Sequence, residues 1–204
     1  MRFDTGARER LVRALVAPMI EHADELTRLD QAIGDGDHGL NMKRGFESVL
    51  AGLPGLAEKS LPEMFKAIGM TLVMKVGGAS GPLFGTFFME LGKVLPEEPA
   101  RADLVAATGQ AIDAVKVRGR SDTGQKTLLD VLVPAQAIFA AGGDGQAIVA
   151  AAVEAAERTI PMLATRGRAS FLGERSVGHM DPGSRSAQLL IGAAVQALEF
   201  EEDR

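Results

Sequence analysis

Apolar residues recur along this chain at three- and four-residue spacings. Leu11, Leu15, Val16, Met19, Ile20, Ala23 and Leu26 form the first such stripe, the pattern of a helix with one buried face. The same periodicity predicts a second helix over about 41–50 and a third from Leu61, with Pro62 at a permitted first-turn position. A fourth follows over Pro82 to about Val94, and a fifth over about Asp103 to Val117. A sixth is predicted from near Gly124 to a C-cap at Gly142 and Gly143, a seventh from Asp144 to about Ala164, and a last from about Ser184 to Phe200. No segment sustains two-residue alternation with β-branched and aromatic enrichment. Residues 71–76, TLVMKV, are the one place where a short strand fits. The predicted class is all-α, with eight helices in an antiparallel bundle or barrel.

Composition narrows the function classes. A chain of 204 residues fits one domain over 1–204, with enough apolar residues for a sizeable core. There is no apolar run near the ~20 residues that a membrane span needs. The start, MRFDTGARERLVRAL, lacks the apolar core and cleavage site of a signal peptide, so a cytoplasmic location is expected. With no cysteine, disulfides, thiolate metal sites and cysteine nucleophiles are excluded. A net charge of -5 argues against general nucleic-acid binding. The absence of Trp and Tyr leaves few surfaces for stacking bases.

The chain holds 24 glycines, and because glycine weakens helix interiors they are expected between helices. They concentrate at residues 34–39, 77–81, 119–124 and 167–183. The first of these stretches carries Asp35 and Asp37, with Asp30 just before it. Three like charges this close repel, and a hard divalent cation relieves them. Magnesium prefers carboxylate and phosphate oxygens and shares its ligands with substrate phosphates, so two ions suit three carboxylates and a polyphosphate. The alternative is that the aspartates cap the next helix and the glycines make a turn.

Other motif readings fail. Gly34, Gly36 and Gly39 spell G-x-G-x-x-G, but a helix, not a strand, precedes them. An EF-hand loop from Asp35 requires glutamate at its twelfth position, which is Phe46. No P-loop motif is present. His38 is either a phosphate donor or a structural hydrogen-bond partner, and Asn41, one turn on, shares the first option.

At residues 77–82, Ser80 reads as an N-cap and Pro82 as a first-turn residue, a setting suited to a phosphate or simply to a capped helix. Asp122 or Thr123 reads as the next cap, with Lys126 in the first turn. Leu128 and Leu129 are either a floor for an adenine ring or core. The long irregular stretch 165–188 gathers Arg166, Arg168, Arg175 and Arg185 in an otherwise acidic protein. Arginines commonly neutralise phosphates in transfer chemistry, and long irregular loops are often functional lids.

Taken together, IGDGDHGLNMKRGF, GMTLVMKVGGASGPLFGTFF, KTLLDVLVPA and GRASFLGERSVGHMDPGSRS resemble the nucleotide-binding L subunits of bacterial dihydroxyacetone kinases, in order and over nearly the whole chain. The resemblance implies an eight-helix antiparallel barrel with ADP or ATP capping one end. It implies two Mg²⁺ ions on Asp30, Asp35 and Asp37. Nucleotide contacts are implied at His38, Gly39, Leu40, Asn41, Ala79 and Ser80, at Gly119 and Leu128, and at Arg175, Asp181, Pro182 and Gly183. Leu128 stands where the family often has Met, and Lys75 is unusual beside the phosphate loop. The implied partners are a K subunit that holds the keto sugar, a phosphotransferase M subunit that recharges ADP from phosphoenolpyruvate, and a second copy in a homodimer. Related split kinases act on other keto sugars such as erythrulose. A regulatory protein that kept the fold but lost transfer, and a Mg²⁺-dependent hydrolase acting alone, are the rival readings.

Overall fold

A computed structural model describes residues 3–202, with side chains through 198. Among the described residues there are ten α-helices, one 3-10 helix and no strand. The helices are α1 (Thr5–Glu21), α2 (Ala23–Ile33), α3 (His38–Ala51), α4 (Leu53–Ala57), α5 (Leu61–Lys75), α6 (Ser80–Val94), α7 (Arg101–Gly119), α8 (Leu129–Ala140), α9 (Gly145–Arg158) and α10 (Pro182–Glu202), with the 3-10 helix at Arg168–Ser176.

Local chemistry sets many of these ends. Asp4 accepts from the backbone of Ala7 and starts α1, and Asp144 does the same for α9 through Ala147. Ser60 and Glu63 form a reciprocal capping box at α5, with Pro62 in the first turn. The expected glycine stop after α8 is present, with Gly142 in the left-handed region (φ 87°) and the Gly143 N–H bonded to Ile138 O.

Several boundaries differ from the sequence pattern. The first stripe is broken at His22 into α1 and α2, with Pro18 inside α1. Residues 71–76 are not a strand; five of the six complete α5. The sixth helix begins at Leu129 rather than near Gly124. The buried Asp130 side chain draws the preceding loop onto itself instead, accepting from Gly124 N and from Thr127 N (2.7 Å). Helix α9 ends at Arg158, short of Ala164. Helix α4 and the 3-10 helix are too short to leave a periodic signal.

The long helices pair in a cyclic order. Helix α1 packs on α3, α3 on α5, α5 on α6, α6 on α7, α7 on α8, α8 on α9, α9 on α10, and α10 on α1. Glycine is not confined to the loops. At the α5/α6 seam a Cβ on Gly85 would meet the backbone oxygen of Gly69 at 2.8 Å, and one on Gly69 would meet the oxygen of Gly85 at 2.6 Å. Close helix approach is what places these glycines inside helices despite their low propensity. Phe65, Phe84, Phe88, Leu104 and Leu132 line a partly open apolar cavity of about 370 Å³. No described helix is long and apolar enough to cross a membrane.

Candidate functional site

Helices α3, α6 and α10 all begin at one end of the molecule, around a cavity of about 150 Å³. Its lining joins Asp30, Asp35 and Asp37 to His38 and Asn41, the 77–80 turn, Leu128, and Asp181 to Gly183. Three of the four glycine-rich stretches therefore meet, together with the 126–128 segment that follows the remaining one.

The acidic loop is held from below. Asp30, on the last turn of α2, is buried, and its Oδ2 accepts from the backbone of Asp37 (2.9 Å) and of His38 (3.1 Å). This carboxylate thus caps α3 from seven residues upstream. Gly34 lets the chain turn hard against it, because a Cβ there would lie 2.1 Å from Asp30 Oδ1. Asp35 and Asp37 remain exposed. One ligand atom from each of the three carboxylates lies within 4.8 Å of the other two. Hard carboxylate oxygens so grouped, beside a pocket where α6 starts without a side-chain cap, suit magnesium bound jointly with phosphate.

The helix starts are joined through one imidazole. His38 Nε2 lies 2.8 Å from Ser186 Oγ on α10, and His38 Nδ1 lies 3.0 Å from Ser80 Oγ on α6. Burial lowers the His38 pKa from 6.5 to about 4 despite the opposing carboxylates of Asp30 and Asp37, so the ring is neutral near pH 7. Ser80 is therefore not the expected N-cap. Helix α6 begins with no side-chain cap, and Pro82 has no N–H to satisfy, which leaves its first backbone donors for a ligand.

Asn41 is oriented by Arg44, whose guanidinium donates to Asn41 Oδ1 (2.7 Å) and to the Lys75 carbonyl (2.9 Å). The Asn41 Nδ2 hydrogens are left for a ligand. Lys75 itself is exposed and lies outside the lining, so its effect on the cavity is indirect. Asp181 caps α10 by accepting from Ser184 N (2.6 Å), and burial pushes its carboxyl up to about 6.

The remaining expected residues fall elsewhere. Gly39 is buried where α3 crosses α2, and Leu40 is exposed on the outer side. Gly119 ends α7 and approaches Leu83, which lines the cavity. Arg175, on the 3-10 helix, is exposed and outside the lining. Arg185 does not join a phosphate cluster; it pairs with Glu25 of α2 (2.7 Å) and holds that carboxyl below its ordinary pKa. His22 also contacts Glu25 (2.7 Å). The sequence reading named Arg166 and Arg168 only as part of a cluster, yet both line the cavity, and Arg168 lies 2.7 Å from Asp35 Oδ2. Lys126 lines it too, although no local pattern distinguishes that lysine from a surface one.

The sequence model of the DAK2 domain matches residues 32–196. The chain is 42% identical over 177 residues to the ADP-binding subunit DhaL of a PEP-dependent dihydroxyacetone kinase of Listeria innocua, covering 86% of this chain and 88% of that protein. It is also 42% identical over 179 residues to the corresponding Escherichia coli subunit, covering 83% and 85%. Among solved structures, the dihydroxyacetone kinase of C. freundii in complex with AMP-PNP and Mg²⁺ superposes with a TM-score of 0.77 at 27% identity. That match covers 94% of this chain and 34% of the larger one.

Proposed function

The chain belongs to the DAK2 domain family, and from that premise we propose that it is the ADP/ATP-binding subunit of a PEP-dependent dihydroxyacetone kinase. The observation that carries this reading is the meeting of three carboxylates, an uncapped helix start and two arginines around one cavity. The 42% identity to DhaL subunits over nearly their full length supports the split form, in which a K subunit holds the keto sugar and an M subunit recharges ADP. The cyclic pairing of the long helices supports an eight-helix barrel whose open end the nucleotide caps. The assembly would act in the cytoplasm.

Asp30, Asp35 and Asp37 would hold two Mg²⁺ ions. When bound, such ions neutralise the phosphates and the charge that develops on the transferred phosphoryl group. Asp30 also fixes the loop that carries the other two. The Ser80 and Gly81 backbone N–H groups and the Asn41 amide would donate to phosphate oxygens, helped by the positive ends of α3, α6 and α10. Arg166 and Arg168 would add fixed positive charge on the opposite wall. Leu128 would lie under the adenine. The sugar hydroxyl would be activated on the partner subunit rather than by this chain.

Mass spectrometry of the intact protein under native conditions tests the reading. Retained ADP with two Mg²⁺ is the expected result, and loss of both on Asp35→Ala should follow. Phosphoryl transfer to dihydroxyacetone should require added K and M subunits and phosphoenolpyruvate, with erythrulose as the competing sugar. Phosphate release without any partner would overturn the reading in favour of a hydrolase.

A further inference from the structure

Residues 160–178 leave α9 and return towards α10 as a loop closed at its base. The Gly178 N–H bonds to Ile160 O (2.8 Å), and the Ala164 N–H bonds to Ser176 Oγ (3.0 Å). Thr159 and Ser176, at the two sides of this base, are completely buried. Between them lies the ammonium of Lys126, from a different part of the chain. Its Nζ donates to Ser176 O (2.7 Å), Met162 O (3.1 Å) and Ile160 O (3.4 Å). The three acceptors match the three hydrogens of an ammonium. Lys126 is only 1% exposed, and its backbone sits in the left-handed region (φ 62°), unusual for a residue with a side chain. Among the described residues it forms no ion pair. A buried ammonium with no carboxylate in salt-bridge contact among the described residues, eased only by the more distant charge of Asp181, is costly in a strained backbone conformation, and it persists where the surroundings over-determine it.

What this lysine holds faces the candidate site. The far end of the loop carries Arg166 and Arg168 into the cavity lining, and Arg168 reaches Asp35. Ala164 and Ala169 pack with Ile33, at the end of α2, in a small apolar cluster separate from the main core. The loop is fastened at its base and at its tip, and between them the Thr165 N–H bonds to Gln125 O (3.3 Å), the residue before Lys126. A point charge closes its base from inside, and a few apolar atoms and one exposed ion pair seat its tip. Exposed pairs and small clusters contribute little alone, so the base decides whether the tip stays seated.

We infer that Lys126 is a positioning residue: by tying the carbonyls of Ile160, Met162 and Ser176 together it holds residues 160–178 as a closed flap and keeps Arg166 and Arg168 over the phosphate end of the nucleotide cavity. The clasp rests on geometry alone, while its consequence for nucleotide rests on the function proposed above.

Lys126→Met keeps the unbranched apolar stem, ends one atom short of the ammonium and removes all three donors. Segment-resolved hydrogen exchange of the nucleotide-free protein should show residues 160–178 exchanging at least ten-fold faster, with α1, α5 and α6 at wild-type rates. Calorimetric titration with ADP and Mg²⁺ should show affinity weakened about ten-fold. The loss should be much smaller when Lys126→Met is added to Arg166→Ala/Arg168→Ala, because the arginines are what the clasp positions. Unchanged exchange in the flap, faster exchange throughout the helices, or full additivity with the arginine variants would each overturn the inference. If Lys126→Met does not fold, Lys126→Arg gives the same readings, since a planar fork cannot meet three converging carbonyls as an ammonium does. Failure of the wild-type protein to bind ADP would sink the proposed function alone, and the exchange measurement would still decide the clasp.

Discussion

His38 Nε2 and Ser186 Oγ lie 2.8 Å apart although 148 residues of chain separate them. That contact fixes the start of α3 against the first turns of α10, and the other ring nitrogen reaches Ser80 at the start of α6. One neutral ring thereby sets the relative positions of the three helix starts that surround the cavity.

The ring also makes stability depend on pH. In the unfolded chain His38 takes up a proton near its ordinary 6.5, whereas in the folded protein it does so only at about 4. Between those values the unfolded state binds more protons, so stability falls as pH drops through this window, by on the order of 3 kcal/mol. Urea unfolding in magnesium-free buffer at pH 7 and pH 4.5 should show a larger loss for the wild type than for His38→Gln. Equal losses would contradict the assigned neutral, buried state.

The three aspartates should separate by role. Asp35→Ala removes an exposed carboxylate and should change stability by no more than about 0.5 kcal/mol while abolishing magnesium-dependent ADP retention. Asp30→Ala also strips the acceptor from two backbone N–H groups and should cost about 1–3 kcal/mol besides. Thermal melts alongside nucleotide binding give both readings for each variant. Retained binding in Asp35→Ala would contradict its assignment as a ligand.

Gly39 is expected to matter through packing. A Cβ there would sit 1.9 Å from the Ala23 carbonyl oxygen and 2.4 Å from Thr27 Oγ1, atoms of α2. Gly39→Ala should therefore force α3 away from α2, destabilise the protein by about 3 kcal/mol and displace the His38 ring. Chemical denaturation measures the first effect, and the NMR shifts of the imidazole measure the second.

Arg44→Met should leave the fold intact and weaken ADP binding about three- to ten-fold. The variant keeps the apolar stem but frees the Asn41 amide, which Arg44 now orients with its donors towards the cavity. A hydrogen bond to a charged group such as phosphate is worth about 1.5–3 kcal/mol, and a donor loosened rather than deleted forfeits only part of that. Calorimetric titration checks it, and an unchanged affinity would mean that Asn41 does not touch the ligand.

Local pattern was enough for the all-helical class, the acidic loop and the helix starts at Leu61 with Pro62 and at Asp144. These are legible because periodicity and capping act over three or four residues. The sequence also placed His38, Asn41 and Ser80 near the aspartates, through long motifs read together. Long-range packing settles that Arg168 faces Asp35 while Arg185 turns to Glu25, that Lys126 is buried among three carbonyls, and that the first apolar stripe breaks at His22. It also settles that glycines serve the α5/α6 seam inside helices as well as turns between them. A lysine or arginine carries the same local signal wherever it points. Its role depends on which carbonyl or carboxylate packing brings within about 3 Å, a distance fixed by helices far apart in the chain.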